Sequence, residues 1–385
     1  MNAEALKEEI EILSGRYGSR RGTSEEERSA AVYLLDRLKV LSPFAYLDDF
    51  VTMESYFLLY SMYYTEFLIV TIIGIWSAPM ATVYGVFVFV MYLIETSGAR
   101  LFARLMPPME SQNVVAPFHV EKPRRVVIVA AGYDTPVDGV LSRMLCSGYA
   151  HWIHRGLIVC MLVVIAGNGA ANNGMFEFSA IPWDALIRWS GAGVLTGAAV
   201  VLYVHVIMGD DVRGANNNAS GVAALLSIAE RLKEDPLETT DVWLVAVGNS
   251  YGSQDGIRRV LESIPHAKSE TYVLTMQGVG SGSLHYLKGE GILQPQAYRS
   301  KLIALAMAHC DRYSIESGVY RGFPTLGYCP NMRRYATLSV MGLEEGVEPA
   351  RAWSCDDRHT EIDTHSIRKA RDFMYGIIQA LDSLG

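Results

Sequence analysis

The chain has 385 residues, of which 50% are hydrophobic and only 19% are charged, and its formal net charge is −8 at pH 7. Soluble domains carry roughly 25% charged residues, and the deficit here comes from a few long apolar runs. The basic residues are scattered or paired with acids. They form no stripe interleaved with aromatic residues, so nucleic-acid binding is not expected.

Five cysteines occur without CxxC spacing: Cys146, Cys160, Cys310, Cys329 and Cys355. Their odd number and their spacing argue against a disulfide framework and against a structural zinc site. A reducing compartment is the simplest interpretation. The N-terminus, MNAEALKEEIEIL, is charged and amphipathic, which is not the pattern of a cleavable signal peptide.

Residues 1–50 begin with two predicted helices. In the first, Leu6, Ile10 and Leu13 recur at helical spacing. A break follows at Gly15–Gly22, and Thr23-Ser24-Glu25-Glu26 then has the pattern of a helix cap with acids in the first turn. These helices are expected to belong to the water-exposed part of the chain.

A first apolar pair occupies residues 56–95. Tyr56–Trp76 and Ala78–Ile94 are each close to the roughly 20 residues that a bilayer crossing needs. The Ser-Ala-Pro break between them predicts a hairpin of two crossings, with a single crossing from Phe67 to Ile94 as the alternative. Glu66 interrupts the first run. It is expected either at the membrane interface beside Tyr63 and Tyr64 or within the membrane, where a carboxylate indicates a function.

A second apolar pair occupies residues 151–208. Trp189–Met208 is long enough to cross alone, whereas Gly156–Gly167 must extend through Asn168–Phe176 to do so. A buried core helix remains the alternative for that third run. Four crossings in two hairpins are favoured, because each insertion then returns residues 1–50, 97–150 and 209–385 to one side, where they can fold together.

The charges that flank the apolar runs predict an orientation. Arginines border the runs on the side of the bulk of the soluble sequence: Arg100, Arg104, Arg143, Arg155 and Arg213. The hairpin loops hold only Glu177, Asp184 and Arg188. By the positive-inside rule, the soluble part is expected in the cytoplasm.

The soluble sequence alternates strands and helices. Continuous apolar runs predict buried strands at Arg125–Ala131, Asp241–Val247 and Thr271–Met276. Helical spacing predicts helices at Ser220–Leu232, Lys301–His309 and Ile367–Leu381. Such alternation is typical of an α/β sandwich.

A loop rich in glycine and asparagine, Gly214–Gly221 (GANNNASG), leads into one of these helices. It places polar side chains at a helix N-terminus beside a strand end, where open α/β sheets bind ligands. Asn216 and Asn218 are therefore candidate cleft residues. An ordinary capped loop is the alternative, since asparagine and serine cap helices well.

At this loop the chain resembles the co-catalytic di-zinc aminopeptidases, metallopeptidase family twenty-eight, which includes the aminopeptidase S/Y and glutamate carboxypeptidase types. Their G-A-[DN]-D-N-A-S-G loop matches GANNNASG. Four further segments match in order, namely VVIVAAGYDTP with A-H-x-D, WLVAVGNSYG with G-x-E-E-x-G, YVLTMQGVG with L-D-M-x-G, and RHTEIDT with H-T-x-x-D-T. The early stretch Gly15–Arg28 also resembles the family's N-terminal helix break. The resemblance implies a three-layer α/β/α sandwich with a mixed sheet.

The resemblance also implies a site of two zinc ions, held by a bridging carboxylate, histidines and other carboxylates, with a glutamate as general base. In this chain Gly132 stands at a histidine position, Asn217 at the bridging position and Asn249 at the general-base position. Ser250 and Thr275 stand at two further ligand positions, and only His359 retains the family's residue type. Asp134, which in the family orients the histidine, is present.

These replacements predict a catalytically inactive, multi-pass pseudopeptidase for which no cofactor is expected. Such a protein would bind a ligand or join a complex. Asp134, Asn216 and Asn218 would line its cleft. Candidate partners besides the bilayer are an active relative and a second copy of the chain. One alternative is an active metallo-aminopeptidase in which Asp134, His359 and either Asp356 or Asp357 hold a single zinc. The weaker alternative is a transporter subunit, since Glu66 and His205 are nearly the only ionisable residues in the crossings.

Overall fold

The computed structural model describes residues 1–139, 141, 142, 144, 149–175, 181–298, 301–346 and 348–384. These residues form two compact units. The first comprises Met1–Glu54, Pro108–Gly148 and Asp210–Gly385, and the second comprises Ser55–Pro107 and Tyr149–Gly209. We call them the α/β unit and the helical unit. Three residues used in the sequence arguments, Arg143, Cys146 and Glu177, lie outside the described residues.

The α/β unit is built on a 10-stranded mixed sheet. The strands of the unit are β1 (Tyr46–Thr52), β2 (Met109–Phe118), β3 (Arg125–Gly132), β4 (Val137–Asp138), β5 (Asp210–Asp211), β6 (Thr240–Val247), β7 (Thr271–Gln277), β8 (Ser283–Glu290), β9 (Gln296–Ala297), β10 (Glu316–Tyr320), β11 (Ala336–Glu344) and β12 (Glu348–Pro349). The main order is β1-β2-β6-β3-β7-β11-β8-β10, and β9 and β12 pair with β8 and β11. β4 and β5 form a separate two-stranded sheet.

The centre of the sheet is parallel. β3 lies between β6 and β7 and runs parallel to both, and β7 is also parallel to β11. β1, β2 and β8 add antiparallel pairs, and β10 is parallel to β8. The carboxyl ends of β3, β6 and β7 therefore lie together at one edge of the sheet.

Helices cover both faces of this sheet. They are α1 (Ala3–Glu11), α2 (Glu25–Lys39), α7 (Gly221–Glu234), α8 (Asp255–Ser263), α9 (Lys301–Tyr313), α10 (Tyr328–Met332) and α11 (Thr364–Ser383). Val127 and Val129 of β3 belong to a core shared with α1, α2, α7, α9 and α11. Ile128 and Ala130 belong to a second core with α8 and α10. The predicted three-layer α/β/α sandwich with a mixed sheet is confirmed.

The predicted helix start at Thr23-Ser24-Glu25-Glu26 is also confirmed. Ser24 is the N-cap of α2, and its hydroxyl accepts the N–H of Glu27 at 3.1 Å. The Glu27 carboxylate in turn accepts the N–H of Thr23 at 2.7 Å. These reciprocal bonds satisfy N–H groups that a helix start leaves without partners, and they fix where the buried Glu27 side chain lies.

The helical unit contains four helices that are long and apolar enough to cross a membrane: α3 (Tyr56–Trp76), α4 (Ala78–Thr96), α5 (Ala150–Asn172) and α6 (Trp183–Met208). Ser77 has extended backbone and separates α3 from α4, so residues 67–94 do not form the one continuous helix that a single crossing from Phe67 to Ile94 requires. α5 reaches its length by extending in both directions from the predicted run. Only 28% of the most apolar 18-residue stretch of α5 is buried within the protein, which does not fit a buried core helix.

Candidate functional site

The candidate site lies where parallel strands of the α/β unit end. β3 ends at Gly132, β6 at Val247 and β7 at Gln277, and their register places these three residues at one edge of the sheet. Ligands of open α/β sheets bind beyond the carboxyl ends of the strands. We call the residues that follow these strand ends, together with the Gly214–Gly221 loop, the crest.

Gly132 leaves a space at the crest that two other predicted site residues fill. A Cβ atom at Gly132 would lie 2.3 Å from Ser250 Oγ and 2.6 Å from Asn218 Nδ2. Cβ atoms in proteins do not approach other non-bonded atoms within 3.0 Å, so the neighbouring atoms would have to move. The structure therefore brings Gly132, Asn218 and Ser250 together, and the volume of a larger side chain at position 132 is already taken.

Asp134 connects the loop after β3 to the loop after β6. Its carboxylate accepts hydrogen bonds from the Ser250 hydroxyl and, at 3.0 Å, from the backbone N–H of Tyr251. The side chain is fully buried. Burial raises the pKa of Asp134, and the hydrogen bonds from Ser250 and Tyr251 oppose that rise. Both oxygens of this carboxylate thus have donors from the protein itself.

Asn216 and Asn217 also direct donors at the protein. Their side-chain amides donate to the carbonyl oxygen of Ala350 at 2.8 and 3.0 Å. Asn216 Oδ1 accepts the N–H of Gly280 at 2.8 Å, and the peptide bond from Asn217 to Asn218 is cis. An amide nitrogen that donates to a carbonyl has no lone pair for a metal. The bridging position of the resembled family therefore serves here as a hydrogen-bond donor.

Asp357 holds the backbone of this loop. Its two carboxylate oxygens accept the N–H groups of Asn216 at 2.6 Å and of Asn217 at 2.9 Å. Burial raises the pKa of Asp357 to about 6, while the two N–H groups and the nearby Arg20 lower it. Asp357 was weighed from sequence only as a metal ligand. In the structure it is an anchor for the loop.

Arg20 is a site residue that the sequence reasoning did not identify. It is fully buried, and its guanidinium donates to the carbonyl oxygens of Leu13, Gly18, Tyr133, Arg213 and Gly214. Burial lowers the pKa of Arg20 to about 10, and the charges of Asp134 and Asp357 oppose that fall. Arg20 thus ties the N-terminal break to the loops after β3 and before α7. Its position in the GSRRGT stretch, which resembles the family's N-terminal helix break, could have indicated from sequence that Arg20 belongs to the site.

Asn249 lies in the interior. Its side-chain amide donates to Met53 O at 2.8 Å and to Thr52 Oγ1 at 3.1 Å, and its N–H donates to Glu27 at 2.6 Å. Its φ is +45°, a left-handed conformation that asparagine tolerates better than most residues. Gly22 and Gly252 close around its Oδ1 so tightly that a Cβ at either would approach within 2.1 Å.

Glu27, which accepts the N–H of Asn249, is a second residue missed from sequence. It is fully buried and also accepts the Ser111 hydroxyl at 3.1 Å. Burial raises the pKa of Glu27 to about 8, with a further rise from the Asp134 charge, and the hydrogen bonds from Asn249, Thr23 and Ser111 oppose it. The start of α2 and the loop after β6 are thereby joined through one carboxylate.

Thr275 and His359 have other surroundings. Thr275 Oγ1 lies 2.7 Å from Ser339 Oγ, which lies 2.8 Å from the Tyr298 hydroxyl, and Tyr298 donates to the buried Glu290. His359 begins the short 3-10 helix His359–Glu361. Its Nδ1 is buried and has no hydrogen-bond partner in the described residues. Thr275 therefore belongs to a separate buried network of hydroxyls.

The residues present do not fit a two-zinc site. Among the described residues, no group of three or more His, Cys, Asp or Glu side chains could hold a metal ion. Zinc requires imidazole, thiolate or carboxylate ligands with free lone pairs. Asp134 and Asp357 each spend both oxygens on protein donors, and Asp356 is exposed. The single-ion arrangement of Asp134, His359 and an acid at 356 or 357 is likewise not assembled.

Aromatic and amide groups form the more accessible surface at the crest and beside it. The Tyr251 hydroxyl donates to Asn218 Oδ1 at 3.4 Å and accepts from Gln277 Nε2 at 3.3 Å. The Trp353 ring packs against Tyr251 at 5.6 Å and against Phe323 at 5.9 Å between centroids. The predicted cleft residues Asp134, Asn216 and Asn218 are each at most 1% exposed. Tyr251, Gln277 and Phe323 are partly exposed and are the surface that a ligand can reach.

Comparison with known proteins identifies the fold. No protein-family model and no curated protein sequence matches the chain. A glutaminyl cyclase from Bacteroides thetaiotaomicron, solved with N-acetylhistamine, matches with a TM-score of 0.53 and 12% identity over 98% of this chain and 97% of its own. A glutaminyl cyclase from Porphyromonas gingivalis matches with 0.56 and 10%, over 99% and 98%.

A zinc aminopeptidase from Bacillus subtilis matches equally well, with a TM-score of 0.56 and 11% identity over 99% of this chain and 95% of its own. Two enzyme classes, cyclases and aminopeptidases, are therefore similar to the chain in structure. At sequence identities this low, the structural matches show the fold alone. The chemistry has to be argued from the residues at the site. The chain has an aminopeptidase-like α/β fold, and its described residues include four apolar helices that are long enough to cross a membrane.

Proposed function

We propose that the chain is a degenerate, catalytically inactive relative of the di-zinc aminopeptidases that is anchored in a membrane and serves as a binding or complex subunit. The observation that carries this proposal is the bonding at the crest. Apart from His359, the side chains at the ligand and base positions are neutral or absent, and they bond to the protein's own groups. Ser250 is bound to Asp134, Asn217 to Ala350, and Asn249 to Met53.

Peptide hydrolysis needs an activated water and a group that accepts its proton. The amide of Asn249 cannot accept a proton at useful pH, and it is turned toward Thr52 and Met53. Asn217 is neutral, so it cannot hold two dications together as a bridging carboxylate does. These two replacements remove the base and the bridge independently of each other.

Binding, in contrast, needs only a preformed surface. The rings of Tyr251 and Phe323, which pack on the buried Trp353, and the amide of Gln277 supply apolar area and hydrogen-bonding groups. Aromatic side chains with a few fixed polar groups are typical of ligand and partner sites. A peptide segment, of a ligand or of a protein partner, is the occupant that suits this surface best.

Inactivity is tested by assaying the purified full-length protein with aminoacyl-nitroanilide substrates in the presence of zinc. We expect no hydrolysis above background, with a zinc aminopeptidase in the same detergent as the positive control. The variant His359→Ala should behave like the natural chain, because His359 then has no metal to hold. Hydrolysis that a chelator and His359→Ala both abolish would overturn the proposal.

A further inference from the structure

The helical unit carries one carboxylate in the middle of an outward-facing surface. Glu66 is the eleventh of the 21 residues of α3, so at 1.5 Å per residue it lies about 15 Å from either end of the helix. In a helix that crosses a bilayer, this is the centre of a hydrocarbon core about 30 Å thick. Tyr63 and Tyr64, the neighbours expected at an interface, bond instead to Glu95 and to Tyr92.

Glu66 has a neutral partner within the protein. The hydroxyl of Tyr84 on α4 donates to Glu66 Oε2 at 2.6 Å. The sequences of α3 and α4 contain no Lys, Arg or His, and in the described part of the chain no cation forms an ion pair with Glu66. The carboxylate is also partly exposed, so one side of it faces whatever surrounds the helices.

The residues around this pair form an apolar seam with regular spacing. On α3 the exposed Met62 lies four residues before Glu66, and the exposed Ile69 and Trp76 lie three and ten residues after it. On α4 the exposed Met80 and Phe87 flank Tyr84 in the same way, and the rings of Tyr84 and Phe87 stack at 6.5 Å. Intervals of three and four residues are those at which one helix packs along another.

We propose that this α3–α4 face binds a transmembrane helix of a partner protein that carries a lysine or arginine at mid-span. An ionisable side chain at the centre of a bilayer is costly unless it is paired, and such residues usually mark functional contacts. A partner cation would complete the pairing that Tyr84 begins. The apolar seam on both sides supplies the packing surface for the rest of the partner helix.

Charge decides between this partner and the other possible occupants. A second copy of the chain would bring a second Glu66 to the same place, and two like charges close together are unfavourable. A lipid headgroup lies at the bilayer surface, roughly 15 Å from the helix centre. A cationic side chain on a crossing helix meets both the depth and the charge of Glu66. The inference concerns the helical unit alone and does not depend on the state of the crest.

The test uses the labelled full-length protein in phosphatidylcholine vesicles and synthetic leucine-rich transmembrane peptides. One peptide carries a single central lysine, and the matched peptide carries leucine there. Energy transfer should show about tenfold stronger association with the lysine peptide. Glu66→Gln should reduce that preference to near one, because it removes the charge while keeping an acceptor for Tyr84. Glu95→Gln, which changes a carboxylate that already accepts the N–H of Phe102 at 2.8 Å, should keep the preference.

Charge reversal guards against a variant that merely misfolds. Glu66→Lys should lose the lysine peptide and bind a peptide with a central glutamate about tenfold better than the leucine peptide. Equal binding of the lysine and leucine peptides by the natural chain would overturn the proposal. So would Glu66-dependent association of the natural chain with itself in the absence of peptide, because the occupant would then be a second copy.

Discussion

At the scale of single residues, the α/β unit is distinguished by the carboxylates that it buries. Glu27, Asp134 and Asp357 are each fully buried and accept hydrogen bonds from loops of the crest. Arg20 is buried among the same loops and compensates part of this charge. Buried acids that remain satisfied by N–H and O–H donors fix loop positions, and their raised pKa values make that support dependent on pH.

Glu27 gives the clearest pH dependence. Burial raises the pKa of Glu27 to about 8 in the folded protein, from the ordinary value of 4.5 that applies to the unfolded chain. The unfolded chain therefore releases this proton at lower pH than the folded chain does, and stability is lost as pH rises between the two values. We expect the free energy of unfolding to fall by up to about 1.4 kcal/mol per pH unit from this group. Above pH 8 the fall should level off.

Chemical denaturation of the natural chain and of Glu27→Gln between pH 6 and pH 8 measures this effect. The free energy of unfolding of the variant should fall less across this window than that of the natural chain. Asp357, with a pKa of about 6, contributes to the pH dependence mainly below pH 6. The exposed neighbour Glu26→Gln is the matched control and should follow the natural chain. The same slope in Glu27→Gln and in the natural chain would show that Glu27 titrates normally.

Several of these residues could be selected from sequence, but their contacts could not. The motif positions Gly132, Asn217 and Ser250 follow from the ordered matches to the resembled family. Nothing in those motifs indicates that Asn218 and Ser250 fill the space beside Gly132, or that Asn249 turns inward. Such contacts join loops 86 to 222 residues apart in the chain, and they depend on tertiary packing that a local pattern does not encode.

At the scale of elements, the crest is a set of strand ends held together by side chains. Gly132 is a tight point of the crest, since Ser250 and Asn218 lie where its Cβ would be. Gly132→Ala should lower the free energy of unfolding by about 1–3 kcal/mol, as overpacking does. In the double variant Gly132→Ala, Ser250→Ala the loss should be partly relieved, with a coupling of at least about 0.5 kcal/mol.

Denaturation curves of the single and double variants measure this coupling. Gly15→Ala is the control, because the nearest atom to a Cβ there is 4.0 Å away and its φ is not positive. That variant should keep the stability of the natural chain. Additive effects at positions 132 and 250 would mean that the two side chains do not compete for the same space.

The elements that sequence predicted are those with an unambiguous pattern. β3, β6 and β7 are mostly apolar, because helices cover both faces of the sheet. The segments YLDDFVT of β1 and MESQNVVAPF of β2 mix polar and apolar residues, and they were not predicted. β1 is at an edge of the sheet, where one side of the strand meets solvent and the hydrophobic signal is weak.

At the scale of the whole molecule, the chain consists of an α/β unit and a helical unit that interrupt each other in sequence. The α/β unit is formed by three segments and the helical unit by two. The helical unit has an even number of candidate crossings in its described residues. An even number in each insertion returns the chain to the side from which it left, so the three segments can form one sheet.

The positive-inside rule leads us to expect the α/β unit in the cytoplasm, on the evidence of Arg100, Arg104, Arg155 and Arg213. Labelling of intact cells with a membrane-impermeant maleimide tests this. Met175→Cys, an exposed position between α5 and α6, should react from outside. The exposed Cys355 of the α/β unit should react only after permeabilisation. The reverse pattern would place the α/β unit outside.

The central claim of the proposed function concerns metal, because residues at positions that hold metal ligands in the resembled family are bonded here to the protein itself. Zinc content is measured by mass spectrometry on the full-length protein purified without chelators. A zinc aminopeptidase purified in the same way is measured alongside it as the positive control. The natural chain should hold far less than one zinc per chain, and the control should hold about two, as two-metal sites do. One or two zinc ions per natural chain would contradict the account and make an active metallopeptidase the better description.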